Sequence, residues 1–395
     1  MGLAAAFFCY LGVVAWLVLF LSVLRLVARV ITREEGQPAR TSASTETVMH
    51  NASSDHFAGA TAQIKDSPPS RNVSHGSNPG LHEPENPRFH VSRRAFLKWG
   101  TIAGVGAGLG IARHGLAEGY QAPVVAEFDV SHPALHGLSH PVTFIHATDF
   151  HYGWFFGSSQ LAEVVEALNR IDGDAVVLTG DVFHSRWTAV ESSEPILRKL
   201  RKRRFGNFAI LGNHELYTGK ARSLASFTRS GLLHLDSTWA SLDAGGAVIH
   251  LGGLTDPLSE WIRTPSSFLF RELMDRNPSG PGMRVLLCHR PTVLSLSASA
   301  GLDLVMAGHT HGGQMIVPKP GEPKGFSPAH WFTPYTHGWY RKFNCHMYVN
   351  RGVGLIYVPW RINCPPQIAV FHLSPSPPGY EKCTAVIAQR SNSSR

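Results

Sequence analysis

Cysteine is scarce in this chain, five in 395 residues, and no C-x-x-C pair occurs. That excludes a thiolate zinc site and a dense disulfide framework. Cys9 lies in an apolar segment. Cys345, Cys364 and Cys383 leave room for one bond if their region is exported, with the pairing open. Internal repeats are missing, which excludes a solenoid. A nucleic-acid module is missing too, although the net charge is +8 (36 Lys plus Arg against 28 Asp plus Glu), so no nucleic-acid partner is expected. The most basic cluster, Arg198-Lys199-Leu200-Arg201-Lys202-Arg203-Arg204, reads as a solvated helix C-terminus, where cations suit the helix dipole. Anionic lipid head groups are its other candidate partner.

Charge is absent from Leu3 to Leu24, and about 20 apolar residues span a bilayer as a helix. Residues 1–30 therefore read as a transmembrane helix. Arg25, Arg29 and Arg33 follow it, which favours a cytoplasmic location for its C-terminal end. A cleavable secretory peptide would have its positive residues before the apolar run. Residues 31–91 are rich in Ser, Thr, Asn, Pro and Gly and bury too little apolar surface to offset chain entropy, so they read as a disordered linker.

Residues 92–122 open with Ser92-Arg93-Arg94-Ala95-Phe96-Leu97-Lys98 and continue as a Gly/Ala-rich apolar stretch to Ala112. This resembles a twin-arginine export signal. The stretch is short for a membrane span, and no clear A-x-A cleavage site follows, so the segment is expected to stay as a signal or anchor.

Beyond Pro141, strand-like and helix-like patterns alternate. Leu161, Val164, Val165 and Leu168 fall at i, i+3, i+4 and i+7, with Ser158 or Ser159 available as N-cap. Strand-like runs include Ala247–Leu251, Met347–Val349, Leu355–Val358 and Ile368–Leu373. Five further runs end in polar clusters. Val142–Thr148 leads to Asp149-Phe150-His151, and Asp174–Thr179 to Gly180-Asp181. Phe208–Leu211 leads to Gly212-Asn213-His214-Glu215, Met283–Cys288 to His289, and Leu302–Ala307 to Gly308-His309-Thr310-His311-Gly312-Gly313-Gln314. Ligands of open α/β sheets bind outside the carboxyl ends of strands. Side chains two apart on extended backbone point the same way, so His309 and His311 can face one site. Carboxylate, amide and imidazole donors together suit borderline divalent metals.

The order D-x-H, G-D, G-N-H-E, H, G-H-x-H resembles the signature of calcineurin-like metallophosphoesterases. The string GHTHGGQ resembles a bacterial, membrane-associated or exported branch of that family. The similarity covers about Pro141 to Leu373, with Asn350-Arg351-Gly352-Val353-Gly354 and Pro365-Pro366-Gln367-Ile368 also similar to that branch. The resemblance implies an α/β fold, the four-layer α-β-β-α sandwich, over residues 141–373, with 374–395 left as a flexible tail. It also implies two divalent metal ions (Mn2+, Fe2+ or Zn2+). One would be held by Asp149, His151, Asp181 and His311, the other by Asp181, Asn213, His289 and His309. Asp181 would then bridge cations ~3.5–4 Å apart, and a shared, acidified hydroxide would attack phosphorus. His214 is implied near the leaving group, as proton donor or charge stabiliser. The sequence departs from the pattern at His184, where many relatives carry a carboxylate; that position and Glu215 are left outside the catalytic set.

The expected activity is hydrolysis of a phosphodiester or pyrophosphate bond in a phosphorylated small molecule or lipid at a membrane, the catalytic domain facing the periplasm. The rival classes are a metal-binding membrane scaffold without catalysis and a phosphate-sensing domain. The presence of His214 beside a full ligand set favours the enzyme. Substrate-binding residues and oligomeric state are not legible.

Overall fold

The computed structural model describes residues 92–256, 267–377 and 386–390. The expected transmembrane helix 1–30, linker 31–91, most of the 374–395 tail and Cys383 lie outside them. The chain separates into two compact units between Val105 and Gly106. Of the first, the described part is the opening of helix α1 (Arg93–Gly119), whose Phe96, Leu97 and Trp99 are exposed. At 27 residues, α1 is the one helix among the described residues long and apolar enough to cross a membrane. It is thus longer than the apolar run suggested. Its glycines 100, 104, 106, 108 and 110 have open space around them and do not interrupt it.

The larger unit holds two mixed sheets. The first has seven strands in the order β15-β1-β14-β2-β3-β4-β5. Their spans are β1 Val124–His132, β2 Val142–Ala147, β3 Ala175–Leu178, β4 Gly206–Ala209, β5 Leu233–His234, β14 Gln367–Pro375 and β15 Val386–Gln389. Strands β2 to β5 run parallel. Every residue of β2 and β3 is buried, as expected of parallel strands covered on both faces. The second sheet orders β12-β13-β9-β8-β7-β6. These are β6 Thr238–Asp243, β7 Val248–Leu254, β8 Met283–Cys288, β9 Leu304–Ala307, β12 Gly338–Lys342 and β13 Cys345–Val349. Strands β7, β8, β9 and β13 are parallel, with antiparallel edges at β6 and β12. A hairpin, β10 (Val317–Lys319) and β11 (Glu322–Phe326), stands apart.

One apolar cluster joins residues of both sheets, among them Phe128, Phe144 and Phe371 from the first and Leu251, Val285, Met306 and Tyr348 from the second. A second cluster packs helices α2 (Ser158–Arg170), α3 (Val190–Leu197) and α5 (Lys220–Arg229) against the first sheet. A third packs α6 (Ser267–Asp275) and α7 (Leu294–Ser299) against the second sheet. Helix α2 buries Leu161, Val164, Val165 and Leu168, the expected stripe. Its cap differs from expectation: Ser158 and Ser159 are already helical, Gly157 is the N-cap, and Gln160 Oε1 accepts the Gly157 N–H at 3.0 Å. The third residue of the helix thus satisfies the cap that a serine was expected to satisfy.

Three further readings are corrected. Leu355–Val358 is no strand; Ile356 N donates to Gln314 Oε1 at 2.7 Å, which binds the segment to the loop after β9. The cluster Arg198–Arg204 is not wholly solvated, because Arg203 is buried and donates to the carbonyls of Leu168 and Ile171 at 2.7 and 2.8 Å. Cys345 and Cys364 are buried free thiols and do not pair with each other.

Candidate metal centre

The motif residues all follow strand ends. Asp149 and His151 follow β2, Asp181 follows β3, and Asn213 opens helix α4 (Asn213–Thr218) just beyond β4. From the second sheet, His289 follows β8, while His309 and His311 follow β9. Five of the seven have left-handed backbone: Asp149 (φ 57), His151 (φ 50), Asp181 (φ 53), His309 (φ 74) and His311 (φ 52). Such a conformation costs on the order of 1–3 kcal/mol per residue and persists where the surroundings over-determine it. Here it turns consecutive side chains off straight strands. Glycines allow the backbones to close in: a Cβ on Gly212 would collide with Asp181, and one on Gly308 with Thr148 and Asp149.

The structure brings Asp149, His151 and His311 into one group and Asp181, His289 and His309 into another, the donor atoms of each within 4.8 Å of one another. His151 and His311 Nε2 atoms are 2.9 Å apart, and His309 Nδ1 is 3.0 Å from His289 Nε2. Asp181 Oδ2 lies 3.1 Å from His289 Nε2 and 3.7 Å from His151 Nε2, so it touches both groups. Its Oδ1 accepts the His214 N–H at 2.9 Å.

These residues fit divalent metal ions. Both side-chain atoms of Asn213 are buried without a hydrogen-bond partner, a cost of about 1–3 kcal/mol unless a ligand satisfies them. Burial holds His151, His309 and His311 well below the ordinary histidine range, so they stand as neutral imidazoles with a free lone pair. His289 Nδ1 is 2.9 Å from Thr179 O; donating there leaves Nε2 aimed at Asp181. Burial would lower His289, but the Asp181 carboxylate overrides it and raises the group to about 10. Asp181 itself is held well below the usual carboxylate range, burial being outweighed by His289 and His214. Burial, assisted by Asp181, pushes Asp149 up to about 7. Bound divalent cations here would relieve this crowding of buried acids and imidazoles.

Behind the candidate ligands, Glu215 is fully buried and accepts three backbone N–H groups, from Asp181 and Gly212 at 2.8 Å and Phe183 at 2.9 Å. It fixes two ligand loops, the structural part expected of it. His214 places its ring 4.5 Å from that of His151, and its Nδ1 meets the His184 carbonyl.

Two positions lay beyond the sequence reading. His184 joins His151 and His214 in a third group of metal-competent side chains, and its ring stacks on exposed Trp154 at 4.9 Å. The departure from the family pattern was its only signal. Arg361, fully buried, donates to the carbonyls of Gly354, Arg351 and Cys364 at 2.6–3.1 Å behind His311, and nothing in the local sequence marks it.

Strand-end carboxylates and imidazoles of this kind define a metal-dependent hydrolytic class. The calcineurin-like phosphoesterase profile matches residues 142–313. YkuE of Bacillus subtilis, an uncharacterized metallophosphoesterase, is 30% identical over 294 residues, covering 72% of this chain and 98% of its own length. A transmembrane protein with metallophosphoesterase domain from Danio rerio is 27% identical over 259 residues (64% of this chain, 57% of its own). Phosphodiesterase YaeI of Escherichia coli is 25% identical over 237 residues (59% and 82%). The chain belongs to the calcineurin-like phosphoesterase family and is a phosphoester hydrolase.

Proposed function

We propose that the chain is a binuclear hydrolase of phosphodiester or pyrophosphate bonds. Asp149, His151, Asp181 and His311 would hold one ion, and Asp181, Asn213, His289 and His309 the other. The observation that carries this reading is Asp181, whose Oδ2 lies within 3.7 Å of an imidazole from each group. Two bound divalent ions (Mn2+, Fe2+ or Zn2+) would supply an activated water at neutral pH and neutralise charge on the phosphoryl oxygens. His214, held by Asp181 and the His184 carbonyl, faces His151 and serves the leaving group as proton donor or charge stabiliser.

The three apolar clusters support a four-layer α-β-β-α sandwich that begins at β1, ahead of the expected start at residue 141, because Phe128, Val130 and Leu135 belong to the cluster the two sheets share. The apolar helix α1 and the Danio rerio relative support attachment to a membrane. We read Arg93 and Arg94 as a twin-arginine signal, the chain as one of the exported bacterial branch, and the catalytic domain as facing the periplasm. Residues 1–30 would be a further membrane helix and 31–91 a linker; within the expected tail 374–395, Val386–Gln389 is strand β15, paired with β1, and so belongs to the first sheet.

Metal analysis together with hydrolysis of bis-p-nitrophenyl phosphate in added Mn2+ tests the hydrolase reading. Two ions per chain and turnover are expected; an active, folded sample holding one ion refutes the binuclear assignment. For topology, protease is added to intact spheroplasts. The domain should be cleaved in the wild type and protected after Arg93→Lys/Arg94→Lys, whereas a protected wild type ends the export reading.

A further inference from the structure

We propose that Arg351, with Lys324, His337 and His330, forms a second anion-binding subsite beside the metal-ligand loop, one that takes a second phosphoryl group linked to the scissile one. The proposal rests on the hydrolase reading and narrows its substrate to compounds with two linked phosphoryl groups.

Arg351 follows β13, and its stem lies against the loop that carries His309 and His311. A Cβ on Gly312 would stand 3.3 Å from Arg351 Cγ and 3.6 Å from Cδ. Its half-buried guanidinium has no carboxylate or carbonyl partner among the described residues. Arg361 nearby is the opposite case, fully buried with both terminal nitrogens donating to backbone carbonyls. One guanidinium is structural; the other is left with a donor fork that suits phosphate.

The excursion after β9 brings one further cation, Lys324, and the imidazoles of His330 and His337 to the same place. Thr310 Oγ1 donates to Thr336 O at 2.5 Å, and Ser327 Oγ to Gly312 O at 2.7 Å, so residues 327–336 are tied to the ligand loop. Lys324 Nζ lies 3.1 Å from the centre of the Tyr340 ring and donates to Trp339 O at 2.7 Å, which fixes its position without neutralising it. Burial first, and then Arg351, Lys324 and His330, push His337 down to about 4, so at neutral pH it stands as a neutral imidazole that can donate one N–H, and no carboxylate is among the groups acting on it. The nearby Glu322 is paired with Lys319 at 2.5 Å. Basic side chains brought together without a counter-charge repel one another and raise the local concentration of anions. Their neighbour is the centre that would hold the scissile phosphoryl group, so a second phosphoryl group is the anion that fits.

Calorimetry of the full chain in detergent micelles, freed of metal by chelation, reads the subsite without turnover, with inorganic pyrophosphate as the probe. Arg351→Ala should weaken binding roughly 10- to 100-fold, the range of a lost charge-assisted contact. Lys324→Met should weaken it less, and Arg351→Lys should restore part of the loss. Equal pyrophosphate affinity in all four proteins overturns the proposal. Orthophosphate binding as tightly as pyrophosphate overturns the linked-phosphoryl assignment. In the metal-loaded enzyme, Arg351→Ala should raise KM for ADP-ribose about tenfold more than for bis-p-nitrophenyl phosphate, and equal rises overturn the assignment. If pyrophosphate binding depends on Arg351 while neither ester is hydrolysed, the hydrolase reading falls and the subsite stands. If hydrolysis proceeds and pyrophosphate binding ignores Arg351, the reverse holds.

Discussion

The two sheets bring different chemistry to the same centre. From the first come Asp149, His151, Asp181 and Asn213, three of them oxygen donors, after β2, β3 and β4. The second contributes His289, His309 and His311, all imidazoles, after β8 and β9. Neither sheet carries a complete set for either proposed ion. The first group needs His311 from the second sheet beside Asp149 and His151, and the second needs Asp181 from the first beside His289 and His309. The candidate centre is therefore assembled only when the sheets are packed, and the apolar layer between them would be part of any metal site there. Metal affinity should then report on sheet docking, since a preformed site rarely survives unfolding.

Asp181 is where this comparison can be broken most severely. Asp181→Asn removes the one carboxylate that touches imidazoles of both sheets. Ions supply several kcal/mol of transition-state stabilisation, and each 1.36 kcal/mol is a factor of ten, so turnover should fall on the order of 10⁴-fold. Metal content should drop with it. Asn213→Ala, which touches one proposed site, should lose less on both counts. Near-normal turnover of Asp181→Asn would remove the bridging assignment.

Next in size is the layer itself. Phe371 is fully buried between the sheets, stacks with Phe128 at 5.6 Å and meets Tyr348 edge to face at 5.4 Å. Phe371→Ala should cost about 3–5 kcal/mol in denaturant unfolding of the metal-free protein. If the sheets cooperate as argued, the same variant also binds metal more weakly, though Phe371 is no ligand. Unchanged metal affinity with the full stability loss would show that each half-site is organised within its own sheet.

His214→Gln separates chemistry from assembly, because His214 belongs to neither of the two main donor groups. Metal content should be retained while turnover falls about 10²-fold, the lower end of general acid–base contributions. The deficit should shrink with a leaving group that needs no proton. An equal deficit for good and poor leaving groups would assign His214 to charge stabilisation.

Much of this arrangement was legible because each candidate ligand closes a run of buried residues. Val142–Thr148, Met283–Cys288 and Leu302–Ala307 are apolar enough to mark strands, and the polar residues at their ends have little else to do in a core. The left-handed backbone at Asp149 or His311 was not legible, since neither residue type demands it. Contacts between segments distant in sequence were also out of reach. Glu118 on α1 accepts the Asn363 and Cys364 N–H groups at 2.9 and 2.6 Å, a contact that no local pattern marks, and Arg203 caps carbonyls of the α2 region although its cluster read as solvated. Leu355–Val358 had the composition of a strand and lost that role to the Gln314 side chain.

The smallest effect concerns acid, and it acts on the first sheet. His146 lies in β2, fully buried, with Nε2 2.8 Å from Thr179 Oγ1 and its carbonyl accepting from Asn350 Nδ2 at 3.1 Å. Burial lowers its pKa from 6.5 to about 3. Between those values the unfolded chain binds the proton and the folded chain does not, so the contribution is full above pH 6.5 and is lost as pH falls toward 3. From pH 7 to pH 5 the loss should be about 2 kcal/mol for this one group. His151, His309 and His311 are lowered in the same direction, whereas Asp149, Glu215 and His289 are raised and act oppositely, so the difference between wild type and variant, not the total slope, isolates His146. Denaturant unfolding in chelator at pH 7 and pH 5 measures that slope, free of metal release. His146→Gln retains a side-chain amide for Thr179 and cannot titrate, so its stability should fall less over the interval than that of the wild type, whatever its value at pH 7. Parallel losses in the two proteins would mean that β2 opens enough at pH 5 to hydrate His146, and that the first sheet is looser than its buried strands imply.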